Sequence, residues 1–509
     1  MIQRRGDQTL LVHDTTTALI TRRMFLTIVL ACLVVCLIFS IIKGKPRNFP
    51  PGPICLPIVG CVPFIPSKYL HLRMEKWLKQ YGPVVGLMLG SQPAVAICGP
   101  TEVLEALRRE EFQGRPENAN FRQENFNRKL GVFFSDGPFW VEQRRFTLHH
   151  LRDLGFGRSI MVASIIEEVE DIVKELRQRE EFQVSGYFGP STVNVIWALV
   201  AGARYSRDDD RLQALLHALT RLFRRGSQTG GIVNAVPALK KIAPQISGYK
   251  ENQEHINNLK AFFKNVIREH DKTFKENDLR DFIDVYLKEM KYQSGNKTST
   301  FSEDGLIITC FDLFAAGAES VSNTLSFTVL YAVLYPEVQR KVQNMLDDVV
   351  GRDRRPHLDD RPRLQYVDAV LYEVMRINTV APVSPAHRVT QDLTLNGYNI
   401  PKDTTVIASL WCLLHDKEHW GDPETFRPER FLDEYGNIVK DEWMVPFGIG
   451  KRTCLGEVMV RSSLFIFYTT LLQEFSFSLP AGHPPPSTSC VPGITTAPQQ
   501  FRVKISRRY

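Results

Sequence analysis

Neither sign of charge dominates this chain. Across 509 residues, 63 lysines and arginines face 56 aspartates and glutamates, a formal charge of +7 with no basic or acidic tail. That balance lacks the electrostatic footprint of a nucleic-acid-binding protein, so no nucleic-acid partner is expected. Cysteine is sparse: nine, an odd number, stand at positions 32, 36, 55, 61, 98, 310, 412, 454 and 490, mostly in apolar stretches. Such a set is no disulfide framework. Only Cys32/Cys36 and Cys55/Cys61 lie close in sequence, which argues against a zinc ribbon, and most of the nine read as small core hydrophobes. There is no internal repeat, no G-x-G-x-x-G unit and no Pro/Ser-rich stretch longer than "GHPPPSTSC". These absences argue against repeat architectures, a flavin or dinucleotide domain, and a linker between globular domains.

Apolar sequence is plentiful. The 43% of hydrophobic residues can bury a large core, and one run, "MFLTIVLACLVVCLIFSII" at 24–42, holds 19 residues without charge or proline. At helical rise it spans about 28 Å, close to the hydrocarbon core of a bilayer. It passes directly into "KGKPRNFPPGP", with no small-residue cleavage site, so a retained single-pass anchor is expected rather than a signal peptide. Arg22 and Arg23 before the run, against Lys43, Lys45 and Arg47 after it, give the positive-inside rule little asymmetry. "NFPPGP" cannot continue a helix and suits a stiff hinge. The expected organisation is an N-terminal extension at 1–23, an anchor helix at 24–42, a basic and proline-rich hinge at 43–53 and one large domain at 54–509.

Within that domain, "PVVGLMLG" and "SQPAVAICGP" predict two short strands over 83–98 that turn near Gly90-Ser91. "LTLNGYNIPKDTTVIAS" repeats the pattern, with Asn396-Gly397 as a type I′ turn. Long helical patterns lie between: "IIEEVEDIVKELRQ", "HINNLKAFFKNVIREHDKTF" and "YPEVQRKVQNMLDDVV", the last with Pro336 near its start. A second apolar stretch, 306–334, contains Asp312, Glu319 and Asn323, which are costly in lipid, so it reads as a long helix through a soluble core. The fold class is mainly α with small β-sheets. "HDKEH" places His415 and His419 at helical metal-pair spacing, but a surface turn is expected there and no third ligand is apparent. Asn296-Lys297-Thr298 is a glycosylation sequon only if this domain faces a lumen.

The chemistry centres on "FGIGKRTCLGE", where a cysteine follows a bend of two glycines and two cations. The residues alone leave four roles open for it: nucleophile, zinc ligand, redox thiol or iron ligand. Zinc lacks a neighbouring Cys or His, and a nucleophile needs a histidine base that the sequence does not place. Phe447, Gly450, Arg452, Cys454 and Gly456 fit F-x-x-G-x-R-x-C-x-G completely. This resembles the heme-binding loop of the cytochrome P-450 family. Further ordered matches extend the resemblance along the chain. "YEVMR" holds Glu373 and Arg376, "FRPERF" holds Arg430, and "FWVEQRRF" holds Trp140 and Arg144 one helical turn apart. "FQGRP" carries Arg115 and "PAHRV" carries His387. "FAAGAESVSNTL" matches at Ala316, Gly317 and Glu319, with Ser320 where the family usually has threonine and Val321 where a second hydroxyl is common.

The resemblance implies the cytochrome P-450 fold in a single catalytic domain, and heme b ligated by the thiolate of Cys454. Gly450 and Gly456 would give the backbone room, Phe447 would shield the sulfur, and Arg115, Trp140, Arg144, His387 and Arg452 would grip the heme propionates. Glu373, Arg376 and Arg430 would form a charged network behind the heme. Glu319 and Ser320 would deliver protons at a local break in the helix that Gly317 permits. The implied activity is monooxygenation: one atom of O2 enters an apolar small molecule, by hydroxylation or epoxidation. Electrons would come from NADPH through a membrane-bound reductase docked near Arg144, Arg145, Arg152 and Lys451, with cytochrome b5 as a second donor. The implied setting is the endoplasmic reticulum membrane, with the catalytic domain facing the cytosol. Substrate contacts are expected from 118–132, 212–249, 314–318 and Val383. The loop and "FTLHHLRDLGFGR" resemble the large microsomal branch with vertebrate drug-metabolising and arthropod members. The "AGAESV" departure is similar to arthropod enzymes acting on terpenoid hormones, such as methyl farnesoate epoxidases. Two rivals remain, a heme-thiolate isomerase or dehydratase acting on peroxides and a non-enzymatic heme sensor; neither needs the Glu319–Ser320 pair.

Overall fold

The computed structural model describes residues 22–32, 34, 35, 45–66, 68–117, 126, 128–226 and 231–509. Residues 22–32, 34 and 35 are helical and exposed; the rest of the expected anchor at 24–42, and residues 1–21, lie outside the described residues. The proline-rich hinge is stitched to the body. Gly86 N–H donates to Pro51 O at 2.7 Å and Asn399 N–H to Asn48 O at 2.9 Å, while Asn48 Nδ2 donates to Gly397 O at 3.0 Å. Glycine makes this approach possible: a Cβ on Gly52 would stand 2.0 Å from Gly86 O, and one on Gly86 2.2 Å from Pro50 O. Just beyond, Cys55 and Cys61 are joined in a disulfide, which corrects the expectation that such cysteines are simply small core hydrophobes. A tight turn closed by reciprocal Leu56–Gly60 backbone bonds brings them together.

Strands β1 (Val84–Leu89) and β2 (Gln92–Ile97) pair antiparallel with Val84 opposite Ile97, turning at Gly90 as the sequence predicts. Helices α1 (Pro100–Arg108), α2 (Gly137–Asp153), α3 (Ser159–Leu176), α4 (Gly189–Ala201), α5 (Asp210–Arg225), α6 (Tyr249–Thr273) and α7 (Phe282–Tyr292) follow. Their starts are chemically marked: Asp209 caps α5 and Asp281 caps α7. In α3 the apolar positions Met161, Ile165, Val169 and Ile172 recur at helical spacing and are all buried.

The long apolar stretch becomes α8 (Glu303–Leu334), a 32-residue helix capped by Ser302 and buried along most of its length. Its polar residues are thus held in protein rather than lipid, as expected. Next come α9 (Pro336–Val349), with Pro336 in its first turn, and α10 (Gln365–Ile377). Strands β3 (His387–Arg388), β4 (Leu393–Leu395), β5 (Tyr398–Ile400) and β6 (Thr405–Ala408) precede α11 (Glu457–Glu474). Asn396 and Gly397, at φ 48° and 78°, make the β4–β5 turn with the positive angles that a type I′ turn demands. β6 joins β2 in parallel and β3 antiparallel, and a separate sheet combines Glu181–Gln183, Phe475–Ser478 and Arg502–Arg507. The largest core cluster draws on α3, α4, α8 and α11, so α8 is the axis of a mainly helical body with small sheets.

His415 and His419 do not form a pair. His415 stacks on Trp411, while His419 stacks on Trp443 and bonds Asp441 Oδ2 at 2.8 Å.

Candidate active site

The loop from Phe447 to Gly456 is shaped by contacts on both sides. Gly450, at φ 79°, presses on the end of α1: a Cβ there would stand 2.3 Å from Leu107 O. Cys454 N–H donates to Phe447 O at 2.9 Å, and Arg144 Nη2, reaching over from α2, donates to Thr453 O at 2.6 Å. Lys451 pairs with Glu110. Sequence spacing offers no role for Lys451 or Thr453, because both partners, Glu110 just after α1 and Arg144 on α2, lie hundreds of residues earlier in the chain. Burial pushes the Cys454 thiol up, while the backbone N–H groups of Gly456 and Glu457 and the charge of Arg144 pull the other way. The sulfur has open surface yet lies inside the molecule, because that surface faces a cavity of about 680 Å³.

Across the cavity stands α8, presenting Ala316, Gly317, Ser320 and Thr324. Expected substrate contacts meet here too: Val132, Leu222, Phe223, Ala315 and Val383 are in its wall, whereas 118–125 and 127 lie outside the described residues. The expected helix break is absent. α8 runs unbroken through Gly317, and the hydroxyls of Ser320 and Thr324 bond back to Ala316 O and Ser320 O, each at 2.9 Å. Gly317 serves packing instead: a Cβ would meet Ile196 Cγ2 of α4 at 2.8 Å.

Glu319 is buried and multiply held. Its Oε2 accepts from Arg224 Nη2 at 2.6 Å and Asn323 Nδ2 at 3.0 Å, and its Oε1 from Thr220 Oγ1 at 2.8 Å. Thr495 Oγ1 adds a longer bond at 3.3 Å. A free acid beside the cavity is therefore not what the structure contains; the carboxylate ties α5, α8 and the chain near Thr495 together. Asp312, about two turns before Glu319 on α8, lines the same cavity and accepts from Val132 N–H at 2.8 Å and Phe133 N–H at 3.0 Å. Burial pushes its carboxyl up to about 7. The signal for it in the sequence is a lone aspartate inside an apolar run.

Three guanidinium groups converge at one edge of the cavity: Arg115, Arg144 and Arg452. Burial and mutual repulsion, only partly offset by Asp136, lower Arg115 to about 10 and Arg452 to about 8. Arg452 also gives Nε and Nη2 to Gln113 O and Nη2 to Ser135 O, but its Nη1 is buried without a partner. Crowded cations and an orphaned donor call for anionic oxygens, and two carboxylates on a flat ring facing Cys454 would supply them, so these residues fit heme b.

Two expected donors point elsewhere. Trp140 Nε1 donates to Val132 O at 3.1 Å, and its ring lies under Arg452, 3.7 Å from ring centre to guanidinium carbon. His387 Nδ1 bonds Phe112 O at 2.8 Å, and burial beside Arg115 and Arg452 holds its pKa well below the usual range. A neutral ring donating through Nδ1 leaves Nε2 an acceptor, so His387 offers no donor to a carboxylate in this arrangement. Glu373, Arg376 and Arg430 do meet. Arg376 grips both Glu373 oxygens at 2.7 and 2.8 Å, and Arg430 Nε reaches Oε1 at 3.0 Å. Arg376 and Arg430 also donate to the carbonyls of Leu414, Pro423 and Trp420, pinning the segment that leads to the cysteine loop.

A cysteine on a glycine bend, opening onto an apolar cavity rimmed by arginines and facing a long helix across it, defines a heme-thiolate protein. The family model for cytochrome P450 matches residues 50–505. The chain is 41% identical to the farnesoate epoxidase of Bombyx mori over 93% of its own length and 98% of that protein's. It is 36% identical to the probable cytochrome P450 305a1 of Drosophila melanogaster, over 94% and 98%, and 36% identical to human cytochrome P450 2J2, over 91% and 92%. The chain belongs to the cytochrome P450 family. It is an oxidoreductase, a monooxygenase that carries heme b and takes electrons from NADPH through a reductase.

Proposed function

We propose that this monooxygenase inserts oxygen into an apolar terpenoid ester of the methyl farnesoate kind, with epoxidation as the main outcome. The cavity carries the reading: its open surface is mostly apolar side chain, and it runs from the Cys454 loop to the backs of α5 and α6. Similarity to a farnesoate epoxidase along almost the whole chain supports the terpenoid class. When bound, heme ligated by Cys454 supplies activation of O2. The chain's own residues do the rest. Arg115, Arg144 and Arg452 hold the propionates, with Trp140 supporting Arg452 from below. Phe447 covers the sulfur side, and Gly450 and Gly456 let the backbone close on it. Glu373, Arg376 and Arg430 keep the loop's approach rigid. Ser320 Oγ, turning from Ala316 O, presents a proton to the cavity, and Glu319 orders the polar groups behind it. The apolar wall excludes water from the reacting centre. His387 acts through Phe112, holding the strand next to Arg115.

The setting we infer is the endoplasmic reticulum membrane, with the run at 24–42 as a single-pass anchor and the catalytic body in the cytosol. Cytochrome b5 is a second electron donor. The exposed Arg145, Arg152 and Lys451 form the docking face; Arg144 is half-buried and turned to Thr453 O, so it belongs to the site.

The test is turnover of methyl farnesoate by full-length enzyme with reductase, NADPH and ¹⁸O2, read by mass spectrometry. An epoxide carrying one ¹⁸O atom is expected. Absence of product from enzyme showing the red-shifted band of its reduced carbon monoxide complex would overturn the substrate, and turnover of peroxides without NADPH would favour the isomerase reading. Cys454→Ser abolishes that band and Cys412→Ser keeps it.

A further inference from the structure

The last turn of α2 carries a cluster that the active site does not use. His149, His150 and Asp153 offer three ligand atoms that all lie within 4.8 Å of one another. His149 Nε2 is 3.4 Å from Asp153 Oδ2, and His150 Nδ1 is 3.9 Å from the same oxygen. A tetrahedral dication with bonds near 2.0–2.2 Å needs its donor atoms about 3.3 Å apart. The remaining gap is small, and the side chains that must close it are not packed in: His149 is 67% exposed and Asp153 53%. Two imidazoles and a carboxylate, with a fourth position left to water, make a donor set suited to zinc.

A second cluster of the same residue types shows what a closed arrangement looks like. There His270 Nδ1 is engaged by Val266 O and His270 Nε2 by Asp281. Asp281 also caps α7, and Arg280 grips both oxygens of Asp284. Its ligand atoms are committed. Those on α2 are not: among the described residues, no backbone amide, lysine or arginine takes a ligand atom of His149, His150 or Asp153. Charge from a neighbouring element adds to the case, since Glu289 of α7 acts on His150 from across the helix pair. The opposing charges are the exposed Arg145 and Arg152 on α2 itself.

We propose that His149, His150 and Asp153 bind one zinc-class dication, pinning the last turn of the helix that holds the thiolate loop through Arg144. Binding to the folded chain raises its melting temperature by mass action. The experiment is calorimetric titration of full-length, heme-loaded protein with Zn²⁺, paired with thermal melts at increasing Zn²⁺. One site per chain and a rising Tm are expected, with His149→Ala and Asp153→Asn each weakening binding by about tenfold or more and flattening the Tm response. An unchanged carbon monoxide band shows that the variants remain folded. No saturable site in the parent, or equal zinc binding in both variants, overturns the proposal.

Discussion

Glu319 carries four hydrogen bonds from four side chains, and its strongest partner, Arg224, is largely buried beside it. Removing one member of such a pair leaves a charge without its counterion in a poorly solvated place. Arg224→Leu is therefore expected to destabilise the protein by about 3 kcal/mol, and the double variant Arg224→Leu/Glu319→Leu to recover much of that loss. Denaturation of the two singles and the double measures it; full additivity would show that the pair is not coupled. Sequence spacing exposes the position of Glu319 but not its state. Of the residues that hold it only Asn323 is a local neighbour, one turn on; Thr220 and Arg224 stand 99 and 95 residues earlier on α5 and Thr495 stands 176 residues later, where no local pattern links them to it. Cys454 is the opposite case. The phenylalanine, glycines and arginine around it fall within ten consecutive positions, so the loop's identity is legible in sequence although Arg144, Leu107 and Gln113, which hold it, are not.

The glycine bend shows how one element sets another. Gly450 combines a left-handed φ with a carbonyl 2.3 Å from any Cβ, whereas Gly436, at φ 82°, has open space around it. Gly436→Ala is expected to cost about 1 kcal/mol from backbone conformation alone. Gly450→Ala must also push the loop off α1, so heme-loaded protein, read from the carbon monoxide band per mole of chain, falls severalfold while far-ultraviolet circular dichroism stays. Equal yields from the two variants would refute the contact. The β4–β5 turn, the Pro336 start of α9 and the burial of α8 are legible because turn chemistry and apolar periodicity act locally. The continuity of α8 is not legible, because whether Gly317 breaks a helix or admits a neighbour depends on where Ile196 of α4 arrives.

The body as a whole is set against acid. His71 and His415 are buried and neutral, with pKa values lowered by burial to about 4 and about 3, and His387 is held low as well. Their folded values lie below the unfolded one, so the stability they permit is complete above about pH 6.5 and is lost as pH falls, when the unfolded chain takes protons that the folded one refuses. His71 and His415 together remove about 4 kcal/mol by pH 5. Thermal melts from pH 7 to pH 5 should show a steep fall in Tm, and His415→Phe should make it shallower; a Tm independent of pH over that range would contradict the burial of these rings. None of this is visible in sequence, where three scattered histidines carry no sign of their depth.

The stitched hinge bears on how such a body is carried. Prolines stiffen the backbone from Pro50 to Pro53, and the Gly52–Gly86 approach, the Pro51–Gly86 bond and the Asn48 bonds fasten it to two separate sheets. A segment so held is a handle rather than a tether. Any torque on the residues before it reaches β1 and the β4–β5 hairpin directly, so the attitude of the body is set where the chain leaves residue 48, as a lever sets the blade it is riveted to.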